Sequence, residues 1–112
     1  MFMASVSLGT AAGPQDRLEA CRQEIDSIDQ RIVELIQQRA QVVKEVGVIK
    51  REAHLPVRVA SREQQVIEKA QELAKGGPLP ADAVGRIYQK VVEEMRNWEA
   101  TLDEAAPTPP HS

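Results

Sequence analysis

Three basic side chains on one predicted helix have types and spacing suited to binding a small anion. Arg39 falls where the apolar heptad pattern of residues 18–35 calls for another apolar residue. An arginine that faces a helical seam is costly unless an anionic group pairs with it, and its planar guanidinium can bind a carboxylate at two points. A side chain that snorkels to solvent, or that pairs with a glutamate of a partner helix, explains Arg39 equally well.

The spacing of Lys50 and Arg22 relative to Arg39 limits how they could share a ligand. Lys50 follows Arg39 by three helical turns plus about 20°, so the two lie on nearly the same face, about 16 Å apart along the axis. Together they could bracket a small dianion. Arg22 lies about 25 Å away in the other direction. It can join such a site only from the second subunit of an antiparallel dimer.

A long helix must carry these three groups. The heptad spacing of apolar residues predicts a single helix from about Pro14 or Gln15 to about Ala53. Such a helix would be about 57 Å long, whereas a compact domain of this size has a radius of gyration near 13 Å. A second subunit is therefore expected to cover it. The apolar positions of this seam are Leu18, Cys21, Ile25, Ile28, Ile32, Leu35, Val42, Val46 and Ile49.

Two shorter amphipathic segments follow the long helix. The second segment is predicted to open with Ser61 and Gln64 in capping-box spacing and to end in the glycines and proline of residues 75–78. The third begins near Pro80 and carries apolar residues at helical spacing as far as Leu102. These segments predict an all-α fold.

The domain boundaries follow from the same pattern. Residues 14–102 form the predicted helical domain, and residues 1–13 and 103–112 are predicted to be flexible tails, since neither has a periodic apolar pattern. The N-terminal stretch lacks the basic region of a signal peptide.

Composition supports a helical protein that binds a small molecule. Aromatic residues make up 3% of the chain and hydrophobic residues 42%, so aliphatic side chains must supply the packing, which favours helices. The net charge of −3 offers no overall basic field to attract nucleic acid or a membrane, yet residues 39–62 hold six basic residues against two acidic ones. A single cysteine excludes an intrachain disulfide and indicates a cytoplasmic protein.

The order of motifs along the chain resembles a known family. The stretch LEACRQEIDSIDQRIVELIQQRAQVVKEVGVIK, followed by LPVRVASRE, combines an arginine, I-D-x-I-D, an arginine closing an L-I-x-x-R run, V-x-x-x-K and P-V-x-x-x-x-R-E. This combination resembles the AroQ-type, all-helical chorismate mutases over about residues 16–101. The resemblance implies an intertwined antiparallel homodimer that rearranges chorismate to prephenate in phenylalanine and tyrosine biosynthesis, without metal or cofactor.

The resemblance also implies roles for the three basic residues of the long helix. Arg22 would enter each active site from the partner chain. Arg39 would bind a substrate carboxylate from the chain that holds the rest of the site. Lys50 would be the cation near the ether oxygen and a carboxylate.

Five positions in the second and third helices match the remaining substrate contacts of the family. Arg62 would be a supporting cation, Glu63 the acceptor for the ring hydroxyl, and Glu99 the partner of the ether oxygen. Val59 and Met95 stand where the family often has polar residues, so the contacts made there are missing or replaced. An ordinary exposed helix glutamate is the alternative interpretation of Glu99.

Two other functions fit the same pattern. An isochorismate-pyruvate lyase resembles the family in fold and uses a closely similar substrate. A noncatalytic helical module could instead dock on another enzyme of aromatic biosynthesis. The presence of Arg22, Arg39, Lys50, Arg62 and Glu63 together argues against a purely structural role.

Overall fold

The computed structural model describes residues 13–105, and within that range it contains three helices and no strand: α1 (Pro14–Glu52), α2 (Ala60–Ala74) and α3 (Ala81–Ala105). The prediction of an all-α fold with one very long helix is confirmed. The chain divides into two compact units between Arg39 and Ala40. Residues 1–12 and 106–112, which make up most of the predicted tails, lie outside the described residues.

The apolar seam of α1 is exposed in the first unit. Ile25 is 53% exposed and Leu35 is 58% exposed, although both occupy positions that the heptad pattern assigns to a packed interface. Leu18, Ile28 and Ile32 are also exposed, as is the thiol of Cys21. The seam therefore exists on the helix as predicted, but in the single chain these side chains face solvent.

The carboxyl end of α1 is closed by backbone hydrogen bonds. The N–H of Leu55 donates to the carbonyl of Lys50 at 2.8 Å, and the N–H of His54 donates to the carbonyl of Arg51 at 3.2 Å. This is the Schellman motif, in which the chain turns back at one residue with positive φ. His54 supplies it, with φ of 58°. The helix ends at Glu52, one residue before the predicted end.

The start of α2 differs from the prediction, because the expected capping box is wrong. α2 begins at Ala60, and extended Val59 caps it without any side-chain hydrogen bond. Ser61 therefore lies inside the first turn, two residues after the N-cap, so its hydroxyl does not cap the helix. Gln64 bonds the side chain of Glu68 at 3.1 Å instead.

The core of the second unit lies between α2 and α3. Its buried apolar residues are Ala70 of α2 and Val92 and Met95 of α3. The helices approach closely at Gly85, where an added Cβ would overlap the side-chain amide of Gln71. α3 continues to Ala105, so the helix extends into the segment from residue 103 that was predicted to be a tail.

Candidate active site

The second unit joins the end of α1 to α3 through an ion pair at Glu99. The Nζ of Lys50 lies 3.2 Å from Oε2 of Glu99, and Glu99 is only 5% exposed. Its interpretation as an exposed helix glutamate is therefore wrong. Lys50 gives its hydrogen bond to the carbonyl of Val57 at 2.6 Å, and Oε2 of Glu99 is buried without a hydrogen-bond partner.

Gly47 makes room for this pair. It is the buried residue of α1, and a Cβ placed there would lie 3.4 Å from Cγ and 3.7 Å from Oε2 of Glu99. An alanine would therefore just fit, whereas a larger side chain would push the carboxylate away. A glycine inside a helix costs about 0.5–1 kcal/mol relative to alanine. What Gly47 provides in return is the close approach of Glu99 to α1.

A second ionic cluster surrounds Glu63 in the first turn of α2. The Nε of Arg96 in α3 donates to Oε2 of Glu63 at 3.0 Å, and the Nε of Arg58 lies 3.3 Å from Oε1. Each oxygen of the carboxylate thus faces one guanidinium group. Both oxygens keep further lone pairs, because a carboxylate can accept about four hydrogen bonds.

A cavity of about 510 Å³ opens beside this cluster, within the size range of small-molecule sites. Its lining includes Arg58, Ser61, Glu63, Gln89, Val92 and Arg96. Glu93, also on the lining, accepts a hydrogen bond from Lys90 at 3.3 Å. The hydrogen bonds of Lys90 to Glu93 and Glu94 raise the pKa of Lys90.

The other predicted site residues are distributed over both units. Arg22 is exposed and Arg39 is half-buried, and both lie in the first unit. In the second unit, Arg62 donates to Oε1 of Gln65 at 2.9 Å, while Val59 caps α2. Met95 is buried in the core.

Sequence analysis missed three residues of these clusters. Gly47, Arg58 and Arg96 match no specified position of the quoted motifs. A signal for Arg96 was present, since it precedes Glu99 by three residues and therefore shares its side of α3. No group of histidine, cysteine, aspartate and glutamate residues able to hold a metal ion occurs among residues 13–105.

Comparisons with known proteins agree on one family. The family described as chorismate mutase type II matches residues 21–100. The bifunctional chorismate mutase/prephenate dehydratase of Aquifex aeolicus is 36% identical over 90 residues, covering 78% of this chain and 25% of that protein. The Escherichia coli K12 protein of the same description is 31% identical over 80 residues, covering 71% and 21%. This chain therefore spans about a quarter of the length of these curated relatives.

A solved structure supports the same assignment. The chorismate mutase (form II) of Thermus thermophilus superposes with a TM-score of 0.63 at 25% identity, covering 82% of this chain and 99% of that one. The residues matched to the family model include Lys50, Glu63 and Glu99. The chain belongs to the chorismate mutase type II family.

Proposed function

We propose that this protein is a chorismate mutase, which rearranges chorismate to prephenate. The observation that carries the proposal is the buried Lys50–Glu99 pair, which lies within the segment matched to the family. It sets a cation and an oxygen without a hydrogen-bond partner side by side. The reaction builds negative charge on an ether oxygen, and the Lys50 cation is the group of this pair that stabilises it.

The chemistry is an intramolecular, pericyclic rearrangement. One carbon–oxygen bond breaks while one carbon–carbon bond forms, and the atoms of substrate and product are the same. No nucleophile, oxidant or cofactor takes part. The protein accelerates the step by holding the flexible dianion in its compact reactive conformer and by placing positive charge where the transition state becomes more negative.

Each candidate residue has one role in this proposal. Arg39, and Arg22 from the partner subunit, bind the substrate carboxylates. Lys50 stabilises the ether oxygen together with Glu99, which pairs with it, and Glu63 accepts the hydrogen bond of the ring hydroxyl. Arg62 supports the anion from the start of α2, and Val59 and Met95 line the substrate without a polar side-chain contact.

The proposed assembly is an intertwined antiparallel homodimer. The exposed seam of α1 supports it, since a row of large aliphatic residues in solvent is typical of a protein–protein interface. An antiparallel partner helix would cover this seam. The same packing would bring the partner's Arg22 to the site that contains Arg39.

We further propose a cytoplasmic location and a docking partner. Residues 13–105 include no helix that is long and apolar enough to cross a membrane. The relatives carry chorismate mutase and prephenate dehydratase activities in their names, and this chain covers 25% of the first and 21% of the second. The proposed partner is therefore another enzyme of aromatic biosynthesis. Nucleic acid is not expected as a partner, since the chain has a net negative charge.

The test is turnover of chorismate by the purified protein, with Lys50→Ala as the informative variant. We expect Lys50→Ala to lower kcat by about 10²–10³, as removal of one charge-stabilising donor does in other enzymes. Lys44→Ala is the matched control, because Lys44 is an exposed lysine on the same helix. It should keep wild-type activity. Circular dichroism would establish that both variants remain helical.

The same assay separates the alternative functions. Release of pyruvate from isochorismate, with chorismate left unchanged, would identify a lyase. A folded dimer that converts neither substrate, alone or with a prephenate dehydratase added, would favour the noncatalytic module. Either result would overturn the proposed activity.

A further inference from the structure

Arg96 has no assigned role, yet it makes the shortest contact to Glu63. The bond from its Nε to Oε2 is 3.0 Å long and joins the first turn of α2 to the middle of α3. The side chains of Glu63 and Arg96 are 17% and 27% exposed, whereas that of Arg58 is 61% exposed. Arg96 is therefore the more shielded of the two cations that face this carboxylate.

This contact limits the orientations open to Glu63. A glutamate has three rotatable side-chain bonds, and a guanidinium is a planar donor whose hydrogen bonds have fixed directions. Bonds to a charged partner are also stronger than neutral ones, and stronger again where water is partly excluded. With Oε2 held by Arg96 and Oε1 facing Arg58, the carboxylate is fixed at the wall of the cavity.

We propose that Arg96 is a positioning residue, which orients the Glu63 carboxylate to accept the hydroxyl of a cyclic hydroxy-acid substrate. The inference rests on the proposed chorismate mutase function and on the hydroxyl-accepting role of Glu63 in it. Arg96 acts through Glu63 and does not touch the substrate. Its effect should therefore depend on the presence of the substrate's ring hydroxyl.

The experiment compares chorismate with an analogue that lacks the ring hydroxyl. Arg96→Met keeps an unbranched apolar stem like that of arginine and removes its donors. We expect kcat/KM for chorismate to fall about tenfold, the scale of one charged hydrogen bond, and that for the analogue to change less than about twofold. Arg96→Lys, which keeps one charged donor, should recover part of the loss. Arg86→Met, an exposed arginine on the same helix, is the matched control and should match the wild type.

A double variant gives the second readout. If Arg96 acts only through Glu63, then Glu63→Ala combined with Arg96→Met should be no slower with chorismate than Glu63→Ala alone. Equal losses for chorismate and the analogue, or losses that multiply in the double variant, would show that Arg96 binds the substrate directly or supports the fold. If Arg96→Met does not fold, Arg96→Lys takes its place in the comparison of chorismate with the analogue and in the double variant.

Failure of this proposal can be told apart from failure of the proposed function. If the wild type converts chorismate and Arg96→Met converts it at the same rate, only the proposed role of Arg96 is overturned. A wild-type chain that leaves chorismate unchanged overturns the proposed function and the hydroxyl recognition together.

Discussion

The parts of α1 before and after residue 40 differ in how their surfaces are covered. Before residue 40, large aliphatic side chains repeat along the seam and stay exposed, as Ile25 and Leu35 do. After residue 40, the seam is still exposed at Val42, Val46 and Ile49, but the helix is also covered at Gly47, with Glu99 of α3 against it. Apolar periodicity therefore marks the surface that the single chain leaves open. A glycine and a charged pair mark the surface that it closes itself.

The largest effect is expected from a charge placed on the exposed seam of α1. Ile32→Glu puts an unpaired carboxylate into the proposed interface from each subunit, and an uncompensated buried charge costs several kcal/mol. We expect the dimer to dissociate at micromolar concentration and kcat/KM to fall by at least about a hundredfold, since Arg22 would no longer reach the partner's site. Sedimentation and the chorismate assay would measure both effects.

Ser27→Glu is the control for this substitution. Ser27 is exposed and lies off the seam, with Arg31 four residues later in the favourable orientation for an acidic side chain. It should leave the dimer and its activity intact. An Ile32→Glu protein that remains dimeric and active would show that the seam is not the interface.

Sequence predicted the elements well, because each depends on local patterns. The limits of α1 follow from Pro14 and from the apolar spacing, and the structure moves its end by one residue. The capping box failed because S-x-x-Q spacing identifies a possible cap, whereas tertiary packing decides which residue is extended, and that residue is Val59.

The candidate site was only partly predictable, since its contacts cross between helices. Lys50 and Glu99 were both named from motifs, but their pairing depends on how α3 packs against the end of α1. Arg96 was missed because its partner, Glu63, lies 33 residues earlier in the chain. No local pattern reports a contact of that separation.

Mixed dimers test whether the open part of α1 completes the site of another chain. Arg22→Ala and Arg39→Ala should each be inactive, but after subunit exchange a heterodimer has one intact site and one doubly damaged site. With random exchange, about a quarter of wild-type activity should return. Arg39→Ala mixed with Lys50→Ala is the control, since both changes affect residues from the same chain and no intact site forms. Equal recovery in both mixtures, or none in either despite verified exchange, would contradict a shared site.

The closed part of α1 can be tested through the side chain of Glu99, which pairs with Lys50. Glu99→Ala removes that partner, and we expect it to lower kcat/KM for chorismate by about 10²-fold, the scale of one lost polar contact in an active site. Glu99→Gln keeps the length of the side chain and provides an N–H donor, so it should retain more activity than Glu99→Ala. Glu94→Ala, at an exposed position of the same helix, should match the wild type. A folded Glu99→Ala protein with wild-type kcat/KM would show that Glu99 takes no part in the reaction.

The smallest expected effect concerns the turn that ends α1. His54 has φ of 58°, a conformation that costs an L-residue about 1–2 kcal/mol and a glycine almost nothing. Glycine also loses more backbone entropy on folding, and this loss reduces the stabilisation by about 0.4–1 kcal/mol. The difference predicts that His54→Gly raises the free energy of unfolding by about 0.5–1 kcal/mol.

Urea denaturation at several protein concentrations would show where this stabilisation acts. A dimer's stability rises with protein concentration, whereas the gain from His54→Gly comes from one turn within one chain and should be the same at every concentration. Ala53→Gly is the control, because Ala53 does not have positive φ and the added glycine should only destabilise. If both substitutions destabilise equally, the His54 side chain itself supports the turn. A gain confined to His54→Gly, and equal at every protein concentration, would show that the turn at the end of α1 is stabilised within its own chain.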